Sequence, residues 1–253
     1  MRDEECVGFL QWALPRLGLS WPGFRKVRRQ VCRRISRRID ELGLVDAAAY
    51  RSHLEVYPDE WAHLDVLCRI TISRFWRDRA VFDALREVVL PALGPTVRCW
   101  SAGCASGEEA YSLVLAATDA RVSVEVLATD VDPALLERAR RACYPESSLR
   151  DLPEHVRAGA FEDGCLRPEH RNPVSFTLHD VRSEPAAGPF DLVLCRNLAF
   201  TYFDEASQGA VADRLHESLR PGGTLVVGIH ETPPEGIFEP WLPRLGVWSR
   251  GPS

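Results

Sequence analysis

Gly103 and Gly107 bracket a short loop, Glu109 follows two positions later, and Asp130 lies 23 residues beyond Gly107. Glycines in such a loop let the backbone approach a ligand closely. An aspartate at the end of the next strand is placed to accept hydrogen bonds from two ribose hydroxyls, and a glutamate just inside a helix can hold another polar end of the same ligand. The spacing is G-x-x-x-G, which departs from both the dinucleotide fingerprint and the P-loop. Glu108 and Glu109 at a helix start would repel phosphate, so a nucleoside without phosphates fits better. A glycine loop that serves packing alone is the other reading of this spacing. The seven histidines show no ligand spacing, and no metal is expected.

The elements that must position these residues can be read from hydrophobic periodicity. A strand is predicted over 97–100, entering the glycine loop, and a helix over 108–117 leaves it. A strand over 122–128 ends at Thr129-Asp130, and a helix over 133–143 follows. Further strands are predicted over 190–194 and 224–229, with a helix over 208–219 stopped by Pro221-Gly222-Gly223. A helix over 81–90 stops before Pro91. Residues 144–176 read as irregular, rich in Pro, Gly and charge. Strands alternating with helices imply a mainly parallel sheet covered on both faces.

The first 70 residues read differently, as a small helical bundle with Trp12, Trp21 and Trp61 in its core. Phe24, Val27, Val31, Ile35, Ile39 and Leu42 recur at helical steps and make one apolar stripe. Between them lie eight cations in fourteen residues, Arg25 to Arg38, with no acid. Residues 1–38 carry a net charge of +7 and the remainder −12. That asymmetry points to an acidic partner for the basic helix. Its other readings are a solvated arginine face or a nucleic-acid contact. Nucleic acid is disfavoured because the rest of the chain is acidic and no aromatic platform accompanies the cluster.

Composition sets the outer bounds. With 253 residues, 45% hydrophobic and 26% charged, the chain has an ordinary globular balance that excludes general disorder. No apolar run approaches the roughly 18 residues of a membrane helix, and the acidic start is unlike a secretory signal. None of the eight cysteines forms a C-x-x-C pair. They are expected to be reduced thiols in a cytoplasmic protein.

Residues 100–112, Trp-Ser-Ala-Gly-Cys-Ala-Ser-Gly-Glu-Glu-Ala-Tyr-Ser, resemble the W-S-A-x-x-S/T-G-E-E-P-Y-S signature of the chemotaxis-receptor methyltransferases of CheR type. Four further blocks match in order. Ser73-Arg74-Phe75-Trp76-Arg77 resembles T-x-F-F-R, and Ala128-Thr129-Asp130-Val131-Asp132 resembles A-T-D-I-D. Phe190 to Asn197 resembles F-D-x-I-x-C-R-N, and Pro221-Gly222-Gly223 with Gly228 and Glu231 resembles the closing P-G-G…G-x-x-E. The resemblance spans roughly residues 15–232.

It implies an α/β fold, a Rossmann-like class I methyltransferase sheet with a final antiparallel strand, behind a small N-terminal all-helical domain. The expected domains are 1–77 and 78–253, with 144–176 a shortened insert in place of the family's β-subdomain. The implied reaction is methyl-ester formation on glutamates of a protein acceptor with an acidic helical surface, such as a chemoreceptor. The implied cofactor is S-adenosylmethionine, with S-adenosylhomocysteine as product. Residue by residue, the resemblance implies cofactor contacts for Ser73, Arg77, Gly103, Gly107, Glu109, Asp130, Asp180, Val181, Asn197 and Leu198. Arg77 and Tyr202 are expected to orient the acceptor carboxylate, and Arg34 and Arg37 to meet the partner. A monomer without membrane insertion is expected. Three departures stand out: Trp76 for phenylalanine, Asp180 where asparagine is common, and one extra residue before Tyr202. They leave a small-molecule or peptide carboxylate as the alternative acceptor, and a cofactor-sensing module without catalysis as another alternative.

Overall fold

The computed structural model describes residues 2–252; Met1 and Ser253, the outer ends of the expected domains, lie outside the described residues. The chain divides into two compact units. One comprises the chain up to Ile70 together with Thr201–Ser207, and the other comprises Thr71–Phe200 and the chain from Gln208 on. The Ser73–Arg77 block therefore belongs to the second unit.

The first unit is helical: α1 (Asp3–Ala13), α2 (Arg28–Glu41), α3 (Ala47–Val56) and α4 (Glu60–Cys68). The apolar stripe forms as the spacing predicts, with Val31, Ile35 and Ile39 buried on α2. Gly43, at φ +67°, ends that helix in the left-handed region glycine favours. Asp46 starts α3 by accepting from the Ala49 amide at 2.8 Å. The three tryptophans expected in the core are only half-buried. Trp12 instead lies beneath the guanidinium groups of Arg16 and Arg51, at 4.5 and 4.3 Å, which cover an indole that the core leaves open.

A buried polar knot joins three of these helices. Glu60 is 5% exposed. It accepts both arms of Arg38, at 2.9 and 2.8 Å, and the Tyr50 hydroxyl at 2.9 Å. Breaking such a pair leaves a charge stranded. Glu60→Ala is therefore expected to lower stability by about 3 kcal/mol, measured by urea unfolding. An unchanged midpoint would show the knot to be energetically neutral.

The second unit holds a seven-stranded sheet. Its strands are β1 (Thr96–Ala102), β2 (Ser123–Asp130), β3 (Val174–Leu178), β4 (Phe190–Leu194), β5 (Leu219–Val226), β6 (Glu239–Leu242) and β7 (Val247–Ser249). The order across the sheet is β3-β2-β1-β4-β5-β7-β6. The first five strands are parallel; β7 is antiparallel to β5, and β6 is antiparallel to β7. Chain order reverses between β1 and β4, which opens a crevice at their carboxyl ends. Helix α5 (Glu108–Ala120) follows β1 and α6 (Pro133–Arg141) follows β2. Helix α7 (Glu205–Ser218) leads into β5.

Several expectations need correction. The helix expected to stop before Pro91 runs on to Leu93, because a π-helical turn over Leu85–Val89 loosens the ladder just ahead of the proline. Residues 144–176 are not irregular throughout. They contain short helices, a two-strand hairpin (Phe161–Glu162 with Cys165–Leu166), and the start of edge strand β3. Strand β5 begins before Pro221-Gly222-Gly223, which it absorbs as a break in register against β4. The cysteines are not all reduced: Cys6 pairs with Cys32 and Cys143 with Cys165, while Cys68, Cys99, Cys104 and Cys195 are free and buried. The fold brings partners 26 and 22 residues apart into bonding range.

Candidate active site

The glycine loop is built from the end of β1. The Gly103 and Cys104 amides both donate to the Thr129 carbonyl, at 2.8 and 2.9 Å, so the loop is strapped to the end of β2. Lower down, the Trp100 indole N–H donates to the Thr129 hydroxyl at 2.9 Å. Gly107 sits at φ +90°. A Cβ there would lie 2.9 Å from the Ala139 Cβ and 3.0 Å from the Tyr144 hydroxyl, so only glycine fits without displacement. The Tyr144 hydroxyl donates to the Ser106 carbonyl at 2.7 Å and fixes the loop from outside.

Asp130 ends β2. Its Oδ2 accepts from the Ala105 amide at 2.9 Å and its Oδ1 from the Asp132 amide at 3.0 Å. Burial pushes this carboxyl above its ordinary range, and the backbone amides of Asp132, Ala105 and Val131 oppose that shift. Glu109 turns back from α5 toward β1. Its Oε1 accepts from the Ser101 hydroxyl at 2.8 Å, and its Oε2 lies 3.4 Å from an Arg196 nitrogen. Burial raises the Glu109 carboxyl too, against the pull of Arg196, Ser101 and Arg77. Two carboxylates are thus held in a place where the chain only partly offsets their charge. Such a donor set suits a ligand with a cationic end and hydroxyl groups, and disfavours phosphate.

The other expected contacts gather around the same strand ends. Arg77 is half-buried; its guanidinium donates to the Ile72 carbonyl at 3.0 Å, which closes the turn that contains Ser73. Trp76, the departure from phenylalanine, is fully buried at φ +53°, with its amide on the Ser112 hydroxyl at 3.0 Å. Leu198 packs against Gly103, where an added Cβ would come within 2.3 Å of its Cδ2. Asn197, at φ +54°, donates its amide to Glu231 at 2.6 Å, and the Gly228 amide donates to the same oxygen at 2.6 Å. The His179 amide donates to the Asp130 carbonyl at 3.1 Å and leads into Asp180 and buried Val181. The Asp180 carboxylate is clamped by Arg182, at 2.9 Å to the guanidinium and 2.8 Å to the backbone amide.

Three expected residues belong to the helical unit. The Tyr202 ring meets Phe24 edge-on at 5.3 Å and its carbonyl accepts from the Ser20 amide at 2.8 Å. Arg34 donates to the Leu67 and Arg69 carbonyls at 3.2 and 2.5 Å, capping the end of α4. Arg37 is exposed, as are Arg25, Arg29 and Arg33. The side chains of these four make no hydrogen bond or ion pair among the described residues, and they recur every fourth position along one face. Sequence reasoning assigned no site role to Ser101, Arg196 or Glu231. Ser101 and Arg196 lie inside matched blocks and Glu231 closes one, so the blocks carried a signal that side-chain type alone did not.

No group of three or more His, Cys, Asp and Glu that could hold a metal ion occurs among the described residues. No helix among them is long and apolar enough to cross a membrane.

Similarity to known proteins extends over most of the chain. The chemotaxis protein methyltransferase of Listeria monocytogenes is 34% identical over 239 residues, covering 89% of each chain. The chemotaxis protein methyltransferase of Salmonella typhimurium is 31% identical over 220 residues, covering 81% of this chain and 76% of that one. A 104.1 kDa uncharacterized protein of Rhodobacter capsulatus is 34% identical over 217 residues, and there the match spans 78% of this chain but only 22% of the larger one. Residues 71–238 match the family described as "CheR methyltransferase, SAM binding domain". They take in the Ser73–Arg77 turn, the glycine loop, both carboxylates and the Asn197–Glu231 tie, and the chain accordingly belongs to the CheR methyltransferase family and is a methyltransferase.

Proposed function

We propose that this enzyme forms methyl esters on glutamate side chains of a protein acceptor of chemoreceptor type, using S-adenosylmethionine. The carrying observation is the pair Glu109 and Asp130, two partly compensated carboxylates at the ends of adjacent elements beside a loop that admits close backbone approach. When bound, the cofactor would supply an electrophilic methyl group on a sulfonium for transfer to the acceptor carboxylate, with S-adenosylhomocysteine as the product.

The chain's own residues position and exclude water. Glu109 takes the ammonium of the amino-acid end, and Asp130 takes the ribose hydroxyls. Ser73, Gly103 and Gly107 shape the wall around them, and Asp180, Val181, Asn197 and Leu198 flank the base. The acceptor glutamate is already ionised at neutral pH, so no general base is needed and catalysis reduces to orientation. Arg77 supplies that orientation. No metal takes part in this reading. The reaction belongs to the cytoplasm, where a receptor's signalling helices lie, and the enzyme acts as a monomer.

The partner surface follows from α2. Arg34 and Arg38 are committed to their own unit. Arg25, Arg29, Arg33 and Arg37 therefore present the charge that an acidic helical surface would meet. Incubation with labelled S-adenosylmethionine and receptor cytoplasmic fragments should leave base-labile label on the fragments. Arg33→Glu with Arg37→Glu should cut that labelling about tenfold while S-adenosylhomocysteine affinity holds. If affinity falls instead, the helix is structural. The hairpin over Phe161–Leu166, with two residues per strand, favours a second reading, a smaller carboxylate acceptor. Label on metabolite carboxylates and on no receptor fragment would select it.

A further inference from the structure

Arg196 is a deeply buried charge of the second unit, with a side chain 2% exposed. Its position leaves it little freedom. The Cys195 amide before it donates to the Val226 carbonyl, and the Asn197 amide after it donates to Glu231. Its guanidinium reaches three groups at once. One nitrogen donates to Asp78 at 2.8 Å and to the Arg77 carbonyl at 3.0 Å, and the other lies 3.4 Å from Glu109. The Phe82 ring closes it from one side, at 5.2 Å.

The division of this contact is uneven. Asp78, held in the left-handed region at φ +62°, takes the shorter bond. Glu109 keeps the long one. Asp78, Arg196 and Glu109 together carry one net negative charge. Of the two Glu109 oxygens, one is fixed by Ser101 and the other by Arg196. Arg77 also faces Glu109, but its own guanidinium is turned to the Ile72 carbonyl.

We propose that Arg196 is the positioning residue for the amino-acid end of the cofactor, acting through Glu109: it fixes that carboxylate in one orientation while sharing its charge with the closer Asp78. This rests on the reading of Glu109 as the ammonium receptor. It makes Arg196 and Asp78 determinants of affinity for ligands that carry an amino-acid end, and leaves nucleoside recognition to Asp130 and the glycine loop.

Calorimetry on the full chain with two ligands tests it: S-adenosylhomocysteine, and 5′-methylthioadenosine, which keeps the nucleoside and lacks the amino-acid end. Arg196→Lys keeps the charge and loses the fork. It should weaken S-adenosylhomocysteine about tenfold and 5′-methylthioadenosine by less than about twofold. In a Glu109→Gln background the same change should add almost nothing, since both act on one contact. Should Arg196→Lys fail to fold, Asp78→Asn serves, because Arg196 then keeps Glu109 as partner. Releasing the guanidinium to neutralise Glu109 should cost S-adenosylhomocysteine about fivefold and spare the smaller ligand. Equal losses for both ligands, or losses that add in the double variant, would make Arg196 a scaffold residue only and overturn the proposal. A parent protein that binds 5′-methylthioadenosine but gains nothing from the amino-acid end overturns the Glu109 reading and this inference with it. A parent that binds neither ligand overturns the cofactor reading as a whole.

Discussion

Asp130→Ala is expected to weaken S-adenosylhomocysteine binding about 100-fold, from the loss of two charge-assisted hydrogen bonds. The Asp130 carboxylate already accepts the backbone amides of Ala105, Asp132 and Val131. The acceptor capacity that remains meets the ribose hydroxyls. The loss has two parts. The hydroxyls lose their acceptors, and the Ala105 amide loses the tie that holds the glycine loop against β2. Asp130→Asn separates them, since it keeps one acceptor oxygen and removes the charge; it should cost about tenfold. Calorimetry reads both. An alanine variant that binds like the parent would remove Asp130 from the ribose contact.

Glu109 gives the second large effect, and it depends on pH. Burial raises this carboxyl above its ordinary value of 4.5. A protonated Glu109 cannot balance an ammonium. Cofactor affinity should therefore fall as pH drops through the raised value, by about tenfold for each unit below it. Glu109→Gln should bind about 30-fold more weakly near neutral pH and lose most of that acid limb. The ligand-free protein behaves in the opposite sense. The folded state holds protons on Glu109 and Asp130 at pH values where the unfolded chain, with carboxyls near 4.5 and 3.8, has released them. Their contribution to stability is present at low pH and is lost as pH rises through the raised values. Thermal unfolding of the ligand-free parent and the Glu109→Gln variant at several pH values checks this. A cofactor affinity that is flat with pH in the parent would sink the assignment of Glu109.

The parallel strands were legible because both faces of β1, β2 and β4 are covered, which writes apolar, β-branched runs between glycine breaks. Strand β3 was not, because it is the sheet edge and Ser175, Thr177 and Leu178 are exposed. The π-helical turn before Pro91 and the two disulfides depend on neighbours distant in sequence, which periodicity does not report. Glu109 and Asp130 were legible as types at a spacing, and the matched blocks gave them roles. The split among the arginines of α2 was partly legible. Arg34 and Arg38 stand three and seven positions past buried Val31, so they flank the apolar stripe, whereas Arg33 and Arg37 turn away from it. The Arg196 cluster was the least legible, since Asp78, Glu109 and Arg196 meet only through the crossover connections of the sheet.

One carboxylate oxygen of Glu231 serves the amides of both Asn197 and Gly228, and the loops after β4 and β5 are tied together at that atom. The two therefore form a yoke: neither can swing without dragging the other. Shortening the side chain by one methylene, as aspartate would, forces a choice of which loop to keep, and the rim of the crevice would lose its symmetry of motion before it lost its fold.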